Sequence, residues 1–392
     1  MRLETADPAE LGLRPEKLAA AEELLVQGLE SYDYTCAVYL VARHGKIAAC
    51  GAMGKLGREK DAPSAALDTI FDMASVTKPV ATATSLMILI ERGILHLNQP
   101  VTDFFPDRRV PHLSGVTVKH LATHTSGLPA WRDLFSKEGT RQSAIDQLLH
   151  TPLEYPTGAK HVYSCLGYIM LGLVIEQASG IPLADFAAEN IFRPLGMADS
   201  GFPAVRDPEN RDNPPKDKAH RIAPTANSRG RDRILVGEVH DENAWAMEGN
   251  SGNAGLFSTA PDLAVYAQML LEGGQLGKPQ RRGGQGEGAE GGGVRILGPL
   301  SVVKMLTNRI SPSIGGQSYG FFTAPNEMTP CGDLFSERSA GHTGFTGTSL
   351  LIDPEYDLFV ILLTNRVYEK RDAPDFLRRR RLFHNITASA IT

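Results

Sequence analysis

Strand-like segments concentrate near the two ends of this chain, and that distribution constrains its fold more than any other feature. "CAVYLVARHGKIAACGAMG", starting at Cys36, alternates apolar residues on either side of His44-Gly45, as two strands joined by a hairpin turn would. "YGFFTA", "GTSLLIDP" and "DLFVILLTN" read as three more strands close to the other end, with Asp353-Pro354 opening the turn between the last two. Between these ends helical patterns dominate, as in "ATATSLMILIERGI", "RQSAIDQLLH", "LGYIMLGLVIEQASG" and "PDLAVYAQMLLEGG". "RPEKLAAAEELLVQGLE" and "APDFLRRRRLFHNITASAI" predict a helix at each terminus. The expected fold class is therefore α/β of the α+β kind: an antiparallel sheet flanked by helices, built from residues 1–75 and 300–392. Residues 76–299 form a large, mainly helical insertion, with the active site at the junction.

Charge and cysteine usage narrow the function classes. The formal net charge is -5, which gives no reason to expect a nucleic-acid partner, and the basic run Arg378 to Arg381 reads as the solvated face of a terminal helix. Four cysteines, Cys36, Cys50, Cys165 and Cys331, are scattered without a C-x-x-C pair or metal spacing, so reduced thiols and no metal or cofactor are expected. The apolar helix around Leu86 to Leu95 is too short and too closely flanked by charge to span a bilayer. "MRLETADPAE" lacks the basic start and apolar core of a secretory signal, which makes a cytoplasmic location the expectation. "RDPENRDNPPKDKAHRIAPTANSRGRDR" reads as a long polar connection, and "RRGGQGEGAEGGG" as a mobile low-complexity segment.

Three short motifs carry candidate chemistry. "FDMASVTKP" sets Ser75 and Lys78 three residues apart, on one face of a helix that begins there. A lysine can serve as base for a serine hydroxyl only if burial or neighbouring positive charge pulls it down from its free pKa of about 10.4. The same spacing recurs at Ser301 and Lys304, where Ser301 follows Gly298-Pro299 and looks like the N-cap of an ordinary surface helix, so the pattern alone decides nothing. "HVYSCLGY" places Tyr163, Ser164 and Cys165 side by side. "SAGHTGFTGTS" offers His342, Thr343 and Gly344 at the start of a strand, where glycines let a ligand approach and the N–H of Phe345 can meet an oxyanion.

In that order, Ser-x-x-Lys, Tyr-Ser-x and His-Thr-Gly resemble the signature motifs of the serine β-lactamase and penicillin-recognising superfamily. The nearest likeness is to the branch of class C β-lactamases, D-Ala-D-Ala carboxypeptidases and family VIII carboxylesterases. "VTVKHLATHTSGLP", "IFRPLGMADS" and "GNAGLFSTAPDLAVYAQMLL" add to it, so that the resemblance spans roughly residues 35 to 365; in the last of these Thr259 and Asp262 also suit a capping box. The resemblance implies that Ser75 attacks the acyl carbon, that Lys78 and Tyr163 share the base and proton-relay roles, and that the N–H groups of Ser75 and Phe345 form the oxyanion hole. A phenol beside a lysine cation is expected to ionise more readily. Cys165, His342, Thr343 and Gly344 would face the substrate, while Ser164 would orient groups in the site by hydrogen bonding.

Competing readings are weaker. No G-x-S-x-G elbow is present, since "GNSGN" at Gly249 ends in the wrong residue. His120 and His124 lack the Glu of H-E-x-x-H, which favours a structural role. A non-catalytic binding module is disfavoured because Ser75, Lys78 and Tyr163 are all retained, and a catalytic thiol at Cys165 lacks an identifiable histidine partner. The partner expected is a small-molecule ester or amide substrate. His342 in place of a lysine, and Cys165 in place of the superfamily's usual Asn, weaken recognition of β-lactam or peptide groups and favour a carboxylesterase on small acyl esters over a D-Ala-D-Ala carboxypeptidase or β-lactamase.

Overall fold

A computed structural model describes residues 3–137, 140–203, 218–277, 293–324, 326, 328–330, 332–372 and 374–392. All of the low-complexity segment but its last residue, part of the long polar connection, and Cys331 lie outside the described residues. The described residues include ten strands: β1 (Cys36–Arg43), β2 (Lys46–Gly54), β3 (Phe71–Asp72), β4 (Phe257–Ser258), β5 (Gln275–Leu276), β6 (Val294–Arg295), β7 (Phe322–Thr323), β8 (Ala340–Thr343), β9 (Ser349–Asp353) and β10 (Leu358–Thr364). Six of them form one sheet in the order β2-β1-β10-β9-β8-β7, with antiparallel pairing throughout. First and last strands pair inside it, one strand in from the β2 edge, with Ala37 opposite Thr364 and Arg43 opposite Leu358. "YGFFTA" yields only the two-residue β7, a shorter strand than its composition predicts.

The helices are α1 (Pro15–Glu30), α2 (Thr84–Glu91), α3 (Val118–Ala122), α4 (Arg141–Leu149), α5 (Cys165–Ser179), α6 (Leu183–Ala187), α7 (Arg193–Leu195), α8 (Glu242–Ala246), α9 (Ala260–Leu271), α10 (Pro299–Leu306) and α11 (Pro374–Ala388). Alternation along the central strands separates two cores. Val38, Leu40, Ile361 and Leu363 join the large core shared with α2, α5 and α9, whereas Tyr39, Val41, Val360 and Leu362 pack with Leu18, Leu25 and Phe383 of the terminal helices. β10 is buried along its whole length, which is why its sequence reads as a continuous apolar run instead of an alternation.

Local chemistry sets several element ends. Thr259 caps α9 by accepting from Asp262 N, and Asp241 caps α8 by accepting from Ala244 N. Gly298, not Ser301, is the N-cap of α10, because Pro299 already fits the first helical turn; Ser301 therefore lies inside the helix, with Lys304 exposed. The basic run on α11 is divided by the helical period. Arg378 and Arg381 are exposed, Arg379 pairs with Asp33 at 2.6 Å, and Arg380 turns toward a cavity described below, so the run is not a uniformly solvated face.

Candidate active site

The Ser75 turn begins at β3 and is held from below. Ala74 has φ +45, a costly conformation for a residue with a side chain, and its N–H donates to Asp72 Oδ1 at 2.8 Å. Thr346 Oγ1 donates to the Asp72 carbonyl at 2.7 Å, and Thr348 Oγ1 to the Met73 carbonyl at 3.0 Å, so the turn after β8 clasps the strand that carries the serine. Asp72 Oδ2 also accepts from His240 N at 2.7 Å. Burial raises the Asp72 carboxyl to about 6 in spite of these two donors.

Lys78 follows one helical turn later and is fully buried. Its Nζ donates to Ser75 Oγ at 3.0 Å, to the Asn253 carbonyl at 2.9 Å and to Cys165 Sγ at 3.7 Å. Burial lowers its pKa, while Cys165 and Asp241 oppose the shift. The segment bearing Asn253 reaches the lysine because Gly252 lies flat against α5. A Cβ there would fall 2.1 Å from the Tyr168 carbonyl, and the Gly252 carbonyl accepts from Thr82 Oγ1 at 2.8 Å.

Tyr163 completes the group. Its hydroxyl hydrogen-bonds the Ser75 side chain, and the lysine ammonium lies 4.9 Å from its ring centroid. Contrary to the expectation of easier ionisation, burial raises this phenol well above 10, because desolvating a phenolate costs more than its neighbours return. His124 packs on the ring at 4.6 Å and accepts from Ser164 N at 3.0 Å, so this histidine buttresses Tyr163. Among the described residues no cluster of His, Cys, Asp and Glu is arranged to hold a metal ion.

Ser164 does not reach the reacting groups. Its hydroxyl donates to the Pro129 carbonyl at 2.6 Å and accepts from Gly167 N at 3.1 Å, as the N-cap of α5. Cys165 is the first residue of that helix, and burial raises its thiol although Lys78 pulls the other way. Cys36, Cys50 and Cys165 are free thiols.

A cavity of about 870 Å³ opens over these residues and is lined by Ser75, Tyr163, Cys165, Thr343, Gly344 and Phe345 among others. His342 is the exception to the expected substrate contacts. Strand alternation turns its ring away from the cavity, where it stacks on Phe322 at 4.6 Å and lies 5.9 Å from Tyr163. Its Nδ1 pairs with the Thr343 carbonyl at 2.9 Å, and burial lowers it to about 3, so it is neutral.

Apolar side chains dominate the mouth, where Trp131, Met328, Phe345 and Leu377 are exposed. At one end Arg366, Arg371 and Arg380 converge. Arg371 pairs with Glu242 at 3.0 Å, whereas Arg366 and Arg380 form no ion pair among the described residues and lie over the Phe376 ring at 5.7 and 5.6 Å. Burial and their mutual repulsion lower Arg380 to about 9.

A family model described as Beta-lactamase matches residues 21–384. This chain belongs to the Beta-lactamase family. It is 32% identical over 330 residues to the Escherichia coli K12 protein named "Putative D-alanyl-D-alanine carboxypeptidase", covering 76% of this chain and 69% of that protein. Among solved structures, the hydrolase EstCE1 aligns with a TM-score of 0.69 at 22% identity, covering 94% of this chain and 98% of EstCE1. A class C β-lactamase from Rhodobacter sphaeroides aligns at 0.66 and 21%, with the same coverage. The fold is the mixed helix and antiparallel-sheet arrangement of that family, and the chain is a serine hydrolase. No single helix among the described residues is long and apolar enough to cross a membrane.

Sequence reading alone did not single out Asp72, Asp241, Asn253, Arg366 or Arg380. Only the helix-start pattern "HDENA" around Asp241 gave a local signal, and it reads as a cap.

Proposed function

We propose that this enzyme hydrolyses small acyl esters through an acyl-enzyme on Ser75. The observation that carries the reading is the buried Lys78 amine 3.0 Å from Ser75 Oγ on the floor of a cavity with a largely apolar mouth. Lys78, its charged form penalised by burial, takes the Ser75 proton as the oxygen adds to the ester carbonyl. Tyr163, protonated at rest, relays: it passes its proton to the departing alkoxide and is reprotonated from Lys78. The N–H groups of Ser75 and Phe345 stabilise the oxyanion, and Thr343 and Gly344 border the substrate. Water, deprotonated through the same Tyr163 and Lys78 pair, then adds to the acyl carbon and releases the acid.

Cys165 supports an ester in preference to a β-lactam or peptide. A thiol is a weak donor and acceptor and cannot serve an amide as an asparagine side chain would. Turnover of p-nitrophenyl butyrate is expected to exceed that of nitrocefin in kcat/KM, with a butyryl adduct on Ser75 seen by intact-mass spectrometry. A nitrocefin value well above the ester value would reverse the ranking.

A second reading, a D-Ala-D-Ala carboxypeptidase as the curated relatives are named, is favoured by Arg366 and Arg380, which face the cavity and form no ion pair among the described residues, with Asp372 on the same wall acting on Arg366 by its charge. Desolvated guanidinium groups seek a carboxylate. Arg380→Gln is expected to lower kcat/KM at least about tenfold for a substrate ending in a carboxylate while leaving p-nitrophenyl butyrate nearly unchanged, because a charge-assisted hydrogen bond contributes roughly 1.5–3 kcal/mol. Equal effects on both substrates would remove the arginines from substrate choice.

A further inference from the structure

Among the described residues, Asp241 is the one acidic side chain on the cavity wall whose charge bears directly on the lysine without forming an ion pair. Its neighbour Glu242, also on the wall, is engaged by Arg371 at 3.0 Å and by the Arg229 N–H at 2.8 Å. Asp241 Oδ1 accepts from Ala244 N at 2.7 Å, capping α8, and from Asn253 Nδ2 at 3.2 Å. Asn253 is in turn fixed by Ser251 Oγ at 2.7 Å and presents its carbonyl to Lys78 Nζ at 2.9 Å. Asp241 forms no ion pair among the described residues; burial raises its carboxyl, while its hydrogen bonds from Ala244 and Asn253 and the charge of Lys78 favour the carboxylate.

We propose that the Asp241 carboxylate is the fixed counter-charge of Lys78, joined to it through Asn253, and that it governs when the amine can take the Ser75 proton. The inference rests on the acyl-serine reading above. Asp241 is a positioning residue in this scheme: it acts on the lysine and not on the substrate. The Cys165 sulfur, 3.7 Å from the lysine, is a weak acceptor, so the Asn253 carbonyl at 2.9 Å and the charge behind it carry more of the amine's environment.

The sign of the effect follows from the charge. A nearby anion favours ammonium, which keeps Lys78 protonated to higher pH and makes it a stronger base once neutral. Removing that anion makes the amine neutral at lower pH but weaker as a base. The other groups around Asp241 do not reproduce this pair of effects. His240 on the same segment is lowered to about 4 by burial and stays neutral above that; Glu242 is already paired; Cys165 and Tyr163 are both raised by burial. Asp72 titrates near 6, and a limb set by a carboxylate is distinguished from one set by an amine by its much smaller dependence on temperature.

The test is the pH dependence of Ser75 labelling by a fluorophosphonate probe, measured at two temperatures in the wild type, Asp241→Asn and Asp241→Glu. Asparagine keeps both the cap and the Asn253 contact, and Asp241→Ser serves if the asparagine variant does not fold. In Asp241→Asn the acid limb is expected to move down by about one pH unit or more. The plateau rate is expected to fall, so that the two profiles cross, and the glutamate variant should move the limb back. A limb that stays in place, moves up, or shows the weak temperature dependence of a carboxylate overturns the role of Asp241. Failure of the wild type to label at Ser75 at any pH would instead remove the acyl-serine reading on which the inference stands.

Discussion

Ser75→Ala is expected to abolish turnover of esters, nitrocefin and D-Ala-D-Ala peptides together, by about 10⁴-fold or more in kcat, and to end covalent labelling. The substitution removes only the hydroxyl, since Ala74 and Val76 keep the turn and Asp72, Thr346 and Thr348 still hold it. Lys78→Met should fall nearly as far. It deletes the group donating to Ser75 Oγ, Asn253 O and Cys165 Sγ, and with it the proton acceptor. Because the two residues act as one unit, the double variant should be no slower than the worse single one. Circular dichroism would show whether the fold survives, and substantial ester turnover by folded Ser75→Ala would place the nucleophile elsewhere.

Much of this site is legible in the amino-acid sequence. Ser75 and Lys78 are separated by a single helical turn, so the spacing alone puts both side chains on one face, and the order of the three motifs points to the family. The hairpin of β1 and β2 was legible for a similar reason: alternation and a His-Gly turn are local signals. Contacts made across long separations were hidden. Lys78 and Asn253 are 175 positions apart, and Asp72 meets His240 N across 168. Neither pair leaves a periodic trace.

Arg380 shows a different limit. Four consecutive arginines look alike in sequence, but a turn of 100° per residue sends each in a separate direction, and only the docking of α11 decides which of them reaches the cavity. His342 shows the complementary limit. Its motif marks the right strand, yet period-two alternation puts His342 and Thr343 on opposite faces, and only Thr343 lines the cavity.

Gly344→Ala is the strongest test of how the serine is held. A Cβ at Gly344 would lie 2.0 Å from Thr348 Oγ1 and 2.5 Å from the Met73 carbonyl, both well inside contact distance. Gly344 N donates to the Thr348 carbonyl at 2.7 Å, so the backbone here cannot swing away without breaking the turn. If the methyl displaces the Thr348 hydroxyl, the bond to the Met73 carbonyl is lost; if it displaces Met73, the strained Ala74 turn moves with it and Ser75 shifts relative to Lys78. Overpacking of this kind costs about 1–3 kcal/mol of stability. The loss of activity should be larger, because a misplacement of about 1 Å costs roughly 10²-fold in rate. Thr348→Ala removes the nearer of the two clashes. Added to Gly344→Ala, it should recover part of the lost stability, a non-additivity expected of residues in direct contact. A Gly344→Ala enzyme with wild-type kcat/KM and an unchanged melting temperature would show that the turn after β8 does not hold the nucleophile.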